Sequence, residues 1–123
     1  MTVILDREEQ LLEESTARVW HRICPLDELE PAWGEAALVD GVQVALFRVD
    51  AGTVYAVGQQ DPATCANVMA RGITGSRGSR PTIASPLHKE VYDLQTGECY
   101  SNPELRLPAF RTRVVDGFVE LEV

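Results

Sequence analysis

The sequence predicts an all-β domain, and three observations carry that prediction. Short runs rich in Val, Tyr, Phe and Thr recur along the chain at strand length. Turn signals built on Gly, Asp and Pro separate them. The clearest run, Val42–Val49, meets Asp50-Ala51-Gly52 and returns as Thr53–Val57, which is a hairpin pattern. Together the runs make about nine or ten short strands, the arrangement of an antiparallel sandwich or small barrel.

Taken in order, residues 1–19 form a separate extension and residues 20–123 the β-domain. Arg7–Val19 has a thin apolar stripe of Leu11, Leu12 and Ala17 among Glu8, Glu9, Glu13 and Glu14, which predicts a short peripheral N-terminal helix. Trp20–Cys24 reads as a strand, and Pro25–Leu29 as a turn opened by proline. Beyond the Val42–Val57 hairpin, Gly58–Arg80 is irregular, punctuated by Gly72, Gly75 and Gly78, with a strand near Gly72–Gly75. Loops this long inside a compact domain are usually functional. Thr82–Ala84 and Val91–Leu94 are further strands, and Gln95-Thr96-Gly97 turns the chain into a strand at Glu98–Tyr100. The C-terminal hairpin pairs Arg111–Val115 with Phe118–Glu122 across Asp116-Gly117, a dipeptide suited to a tight hairpin turn.

Composition narrows the function classes. The chain has 123 residues, of which 45% are hydrophobic, enough for one domain with a real core. A net charge of −8 argues against nucleic acid as a partner, since phosphate binding needs a basic surface. No apolar run approaches the ~20 residues of a membrane span, and the acidic N-terminus is unlike a secretory signal. The expected location is therefore cytoplasmic, with no membrane contact. Cys24, Cys65 and Cys99 are odd in number and widely separated, so neither a disulfide framework nor a cysteine metal site is expected; buried free thiols are the default reading. His21 and Cys24 are three apart in a strand, which points them to opposite faces.

The chemistry-bearing stretch is Ser85-Pro86-Leu87-His88-Lys89-Glu90-Val91-Tyr92-Asp93-Leu94-Gln95-Thr96-Gly97. It resembles the second ligand loop of Rieske ferredoxins, Cys-Pro-x-His followed by Tyr-Asp-Leu-x-Thr-Gly, with Ser85 where cysteine would stand. Asp61-Pro62-Ala63-Thr64-Cys65-Ala66-Asn67-Val68-Met69-Ala70-Arg71-Gly72 resembles the first loop, which carries Cys-x-His in that family. An ungapped count places Pro62 and Thr64 at its ligand positions; a one-residue shift places Asp61 and Ala63 there. In the family each loop gives one cysteine to one iron and one histidine to the other. Only His88 survives of such a set, so the resemblance implies no cofactor, metal ligand or catalytic residue in this chain.

One Rieske-like family lacks these ligands, the small subunits of assimilatory NAD(P)H-dependent nitrite reductase. Asp61-Pro62, Asn67–Gly72, Ala84–Leu87 and the Val44–Arg48 and Val54–Gly58 strands resemble its motifs. The resemblance implies a small, non-catalytic subunit that docks on and supports a large subunit. FAD, an iron–sulfur cluster and sirohaem would all sit on that partner, where nitrite is reduced to ammonia. The expected contact surface is the tip made by the two old ligand loops, with Met69, Arg71, Pro86, Leu87, His88 and Lys89; the alternative is that these loops merely close the end of a barrel. His88 reads either as a relic or as a working residue. Rival readings are a cluster-binding electron-transfer ferredoxin and a generic regulatory β-domain of another redox enzyme. A serine–histidine hydrolase is rejected, because no acidic orienting residue or oxyanion motif accompanies Ser85 and His88.

Overall fold

The computed structural model describes residues 19–87 and 89–123. The expected N-terminal helix lies outside the described residues, as does His88. Among the described residues there are ten strands: β1 (Trp20–Pro25), β2 (Gly34–Val39), β3 (Val42–Arg48), β4 (Val54–Gly58), β5 (Ile73–Arg77), β6 (Arg80–Ala84), β7 (Val91–Asp93), β8 (Ala109–Phe110), β9 (Thr112–Val115) and β10 (Phe118–Glu122). They pair into three antiparallel sheets, ordered β1-β10-β9, β2-β3-β4-β8 and β5-β6-β7. The all-β expectation stands. No helix among the described residues is long and apolar enough to cross a membrane.

The second of these sheets is the middle of the molecule, and β3 shows why. Val44, Ala45, Leu46 and Phe47 are all buried. Successive strand residues face opposite ways. Ala45 and Phe47 pack with Val57, Ile83, Tyr92, Leu94 and Leu107 on the side of β5-β6-β7. Val44 and Leu46 pack with Val54, Ala56, Val119 and Leu121 on the side of β1-β10-β9. A strand covered on both faces has no polar alternation, which is why its sequence is a continuous apolar run.

Two strands escaped the sequence reading. In β2, Gly34, Glu35, Ala36 and Ala37 are weak strand formers, yet β2 pairs with β3 along its whole length. Its turn is Asp40-Gly41, with φ of 51° and 81°, and the C-terminal hairpin repeats this at Asp116-Gly117 with 52° and 80°. Both suit the hairpin turn that needs positive φ at its two central residues. The two-residue β8 is too short to carry a pattern. Conversely, the strand expected at Glu98–Tyr100 is reduced to isolated bridges, Tyr92 to Cys99 and Glu98 to Arg106. The register of β1 on β10 shifts between Arg22 and Cys24, so His21 and Cys24 oppose Leu121 and Val119. The bulge thus puts His21 and Cys24 on one face, not the opposite faces expected. The thiols also differ from the default: Cys99 is buried, Cys24 half-buried and Cys65 exposed.

Asp93 organises the turn after β7. Its Oδ1 accepts the amides of Gln95 (2.7 Å) and Thr96 (3.0 Å), and its Oδ2 accepts the Tyr100 hydroxyl (2.8 Å). The Arg80 guanidinium donates to both carboxylate oxygens. Burial alone would push the Asp93 carboxyl up, but Arg80, Tyr100 and the two amides outweigh it and hold it well below the usual carboxylate range. At Gly97 (φ 84°) a Cβ would lie 1.9 Å from the Leu107 carbonyl oxygen, so no other residue fits.

A lowered carboxyl stabilises the fold fully above the ordinary value of about 3.9, and that stabilisation is lost as pH falls through the lower folded-state value. Asp93→Asn should therefore cost about 2 kcal/mol at pH 7. Urea unfolding at pH 7 and near pH 2 should show the gap from wild type shrinking in acid.

Candidate functional site: the tip of the two loops

The loop after β4 and the loop after β6 meet at one end of the molecule, and each is wound around one residue. In the first, the Asp61 amide donates to Ala66 O (2.7 Å), and its carbonyl accepts the amides of Thr64 (3.3 Å) and Cys65 (2.7 Å). Its Oδ1 accepts the Ala63 amide at 2.8 Å. In the second, the Ser85 amide donates to Glu90 O (2.9 Å) and its carbonyl accepts the Lys89 amide (3.1 Å). Its Oγ accepts the Leu87 amide at 3.2 Å. The two hubs are joined directly, for Ser85 Oγ donates to Asp61 Oδ2 at 2.5 Å. Asp61 and Ser85 are 0% and 1% exposed. Among the described residues no other hydrogen bond links these loops.

Gln59 anchors the first loop to the body. Its side chain accepts the Ala70 amide (2.8 Å) and donates to Asn67 O (3.3 Å), while its backbone carbonyl accepts the Met69 amide (3.0 Å). Beneath the tip lies the Tyr92 hydroxyl, buried and without a hydrogen-bond partner among the described residues. Burial, and then the charges of Asp61, Cys99 and Glu90, push this phenol far above its ordinary range. It stays protonated.

The expected site residues separate into groups. Met69 is a correction: it is fully buried in the core with Phe47, Ile83 and Tyr92. The 3-10 turn Met69–Arg71 turns its side chain inward and leaves Arg71 exposed. Leu87, 52% exposed, and Lys89 are open to solvent, and Pro86 is half-buried. Pro62 lines a shallow depression with Gln43, Gln59, Asn67 and Pro108, and Thr64 Oγ1 accepts the Ala66 amide at 3.3 Å. The residue that faces Ser85 is Asp61, from the shifted count, rather than either of these.

Sequence reasoning passed over Trp33. It is 70% exposed and shares a shallow surface depression with Ala32, Gly34, Ala70, Arg71 and Gly72. Ala32 holds a left-handed φ of 71°, and Thr74 Oγ1 donates to its carbonyl at 3.2 Å. The strained backbone thus presents Trp33 outward beside Arg71. A tryptophan just after Pro31, with no periodic apolar partners, was the available signal.

A Rieske-type cluster needs two thiolates and two imidazoles. The carboxylate and hydroxyl facing one another at this tip are not soft iron ligands, and they are already spent on each other. Among the described residues no group of three or more His, Cys, Asp or Glu is placed to hold a metal. Ser85 is also too deeply buried to serve as a nucleophile. The residues do not fit the cluster.

The class of protein is defined by three stacked sheets ending in two apposed loops. The family described as "Rieske-like [2Fe-2S] domain" matches residues 19–122. A nitrite reductase (NADH) small subunit of Salmonella typhimurium is 35% identical over 103 residues, covering 83% of this chain and 95% of its own. The crystal structure of an NADH-dependent nitrite reductase small subunit from Mycobacterium tuberculosis superposes with a TM-score of 0.83 at 42% identity, covering 86% of this chain and 96% of that one. A nitrite reductase NAD(P)H large subunit of Klebsiella oxytoca is 35% identical over 103 residues, 84% of this chain and only 11% of its own length. The chain belongs to the nitrite reductase small-subunit family within the Rieske-like domains.

The two neighbours Met69 and Arg71 should behave oppositely. Met69→Ala should lower unfolding free energy by about 2–5 kcal/mol. Arg71→Ala should change it by no more than about 0.5 kcal/mol. Chemical denaturation of the two variants checks this; a silent Met69→Ala would contradict the core placement.

Proposed function

We propose that this chain is the small, non-catalytic subunit of a cytoplasmic NAD(P)H-dependent nitrite reductase in nitrate and nitrite assimilation. It docks on and supports a large subunit that reduces nitrite to ammonia and supplies FAD, an iron–sulfur cluster and sirohaem. The observation that carries this reading is the Klebsiella large subunit, in which a stretch 35% identical to this chain makes up 11% of the polypeptide. A unit that occurs both as a separate small subunit and within a large subunit belongs beside that large body. Residues 20–123 are the docking domain, and residues 1–19 an extension to it.

The donor set supports a role without electron carriage. A ferredoxin reading would need thiolates where Asp61 and Ser85 form a hydrogen bond. What the tip offers instead is surface. Arg71, Pro86, Leu87, His88 and Lys89 are the contact residues on this reading, with Trp33 added and Met69 removed. Tryptophan and arginine are the residue types that most often dominate binding energy at interfaces. Here they share one depression on a chain whose net charge is −8.

Co-expression with the cognate large subunit, followed by titration of the purified partners, tests the proposal. A stoichiometric complex is expected, with Trp33→Ala or Arg71→Glu weakening it about tenfold or more, a loss above ~1.4 kcal/mol. No complex between the wild-type partners would overturn the reading.

A further inference from the structure

We propose that the Asp61–Ser85 hydrogen bond is a clasp, holding together the two loops that a metal cluster joins in ligand-bearing members of this fold. The family's cluster has no matching ligand set among this chain's described residues. A shared iron ties such loops because each gives it one cysteine. Here the joining atoms are a carboxylate oxygen and a hydroxyl, 2.5 Å apart across 24 residues of chain. Each end of that bond is the hub of its own loop, as the backbone bonds to Asp61 and Ser85 show. A force applied at either side chain is therefore felt by its whole loop.

Burial gives the bond its weight. A polar group removed from water is costly unless paired, so separating the two leaves Asp61 Oδ2 without its donor and the Ser85 hydroxyl proton without its acceptor in the interior. The Tyr92 hydroxyl nearby makes no hydrogen bond to either of them among the described residues. Asp61 and Ser85 are accordingly positioning residues. They act through the loop backbones on Leu87 and Lys89, which are exposed and whose amides donate to Ser85.

Amide hydrogen exchange on the isolated chain reads the clasp directly, whether or not the large subunit binds. Ser85→Ala should speed exchange of the Cys65 and Ala66 amides, in the opposite loop, about tenfold. Asp61→Ala should do the same for the Leu87 and Lys89 amides, and the double substitution should add little to either. Exchange of the β3 amides should stay unchanged, and affinity for the large subunit should fall about tenfold. Should Ser85→Ala fold poorly, Ser85→Cys carries the same expectation, since a thiol keeps the shape but donates weakly. Unchanged exchange in the loop opposite the substitution, or strictly additive effects in the double variant, would overturn the clasp. A complex that never forms, with exchange behaving as expected, would instead count only against the docking proposal.

Discussion

A carboxylate and a hydroxyl, both withdrawn from water, join two loops that share no other hydrogen bond among the described residues. Buried polar groups of this kind are nearly always hydrogen-bonded in folded proteins, and here each supplies a bond the other needs. Their position is set by the strands on either side. Gln59 and Gln60, just past β4, start the first loop, and Ala84, the last residue of β6, leads straight into Ser85. The core fixes those strand ends in turn, because Val57 and Ile83 lie in the same buried cluster with Met69 and Tyr92. The tip is therefore a consequence of the core, completed by one polar contact.

Much of this was legible in the residues. The hairpin of β3 and β4 and the one of β9 and β10 follow from apolar runs and turn dipeptides, and both form where expected. The β2 strand was missed because its alanines and glycine carry little strand preference, although Asp40-Gly41 announced a hairpin. Gly34 also has a reason outside local propensity: a Cβ there would sit 2.2 Å from the Ala70 carbonyl oxygen. That close approach seats the start of β2 against the turn carrying Met69 and Arg71.

The site was legible in kind but not in detail. The loss of thiolates could be read from Ser85 and from the stretch beginning at Asp61. Which residue faces Ser85 could not, because a one-residue ambiguity in an irregular loop has no periodicity to resolve it. The sequence alone leaves Met69 at the surface because a methionine in a loop carries no direction; in the structure the 3-10 turn points it inward. The bulge in β1 likewise reversed the relation of His21 to Cys24, since one extra residue changes the phase of a strand. Trp33 shows the converse, a large aromatic side chain that packing left outside.

The fold thus separates two properties that a cluster-bearing domain combines, a shaped tip and a redox centre. On the proposed reading, this chain keeps the first and leaves the second to its partner. Iron and acid-labile sulfide analysis tests that separation most directly, on chain made with its large subunit under anaerobic, iron-replete conditions and then resolved from it. The account predicts neither element above trace in the small chain, and no visible absorption of its own. Stoichiometric iron and sulfide with a Rieske-type spectrum would contradict it.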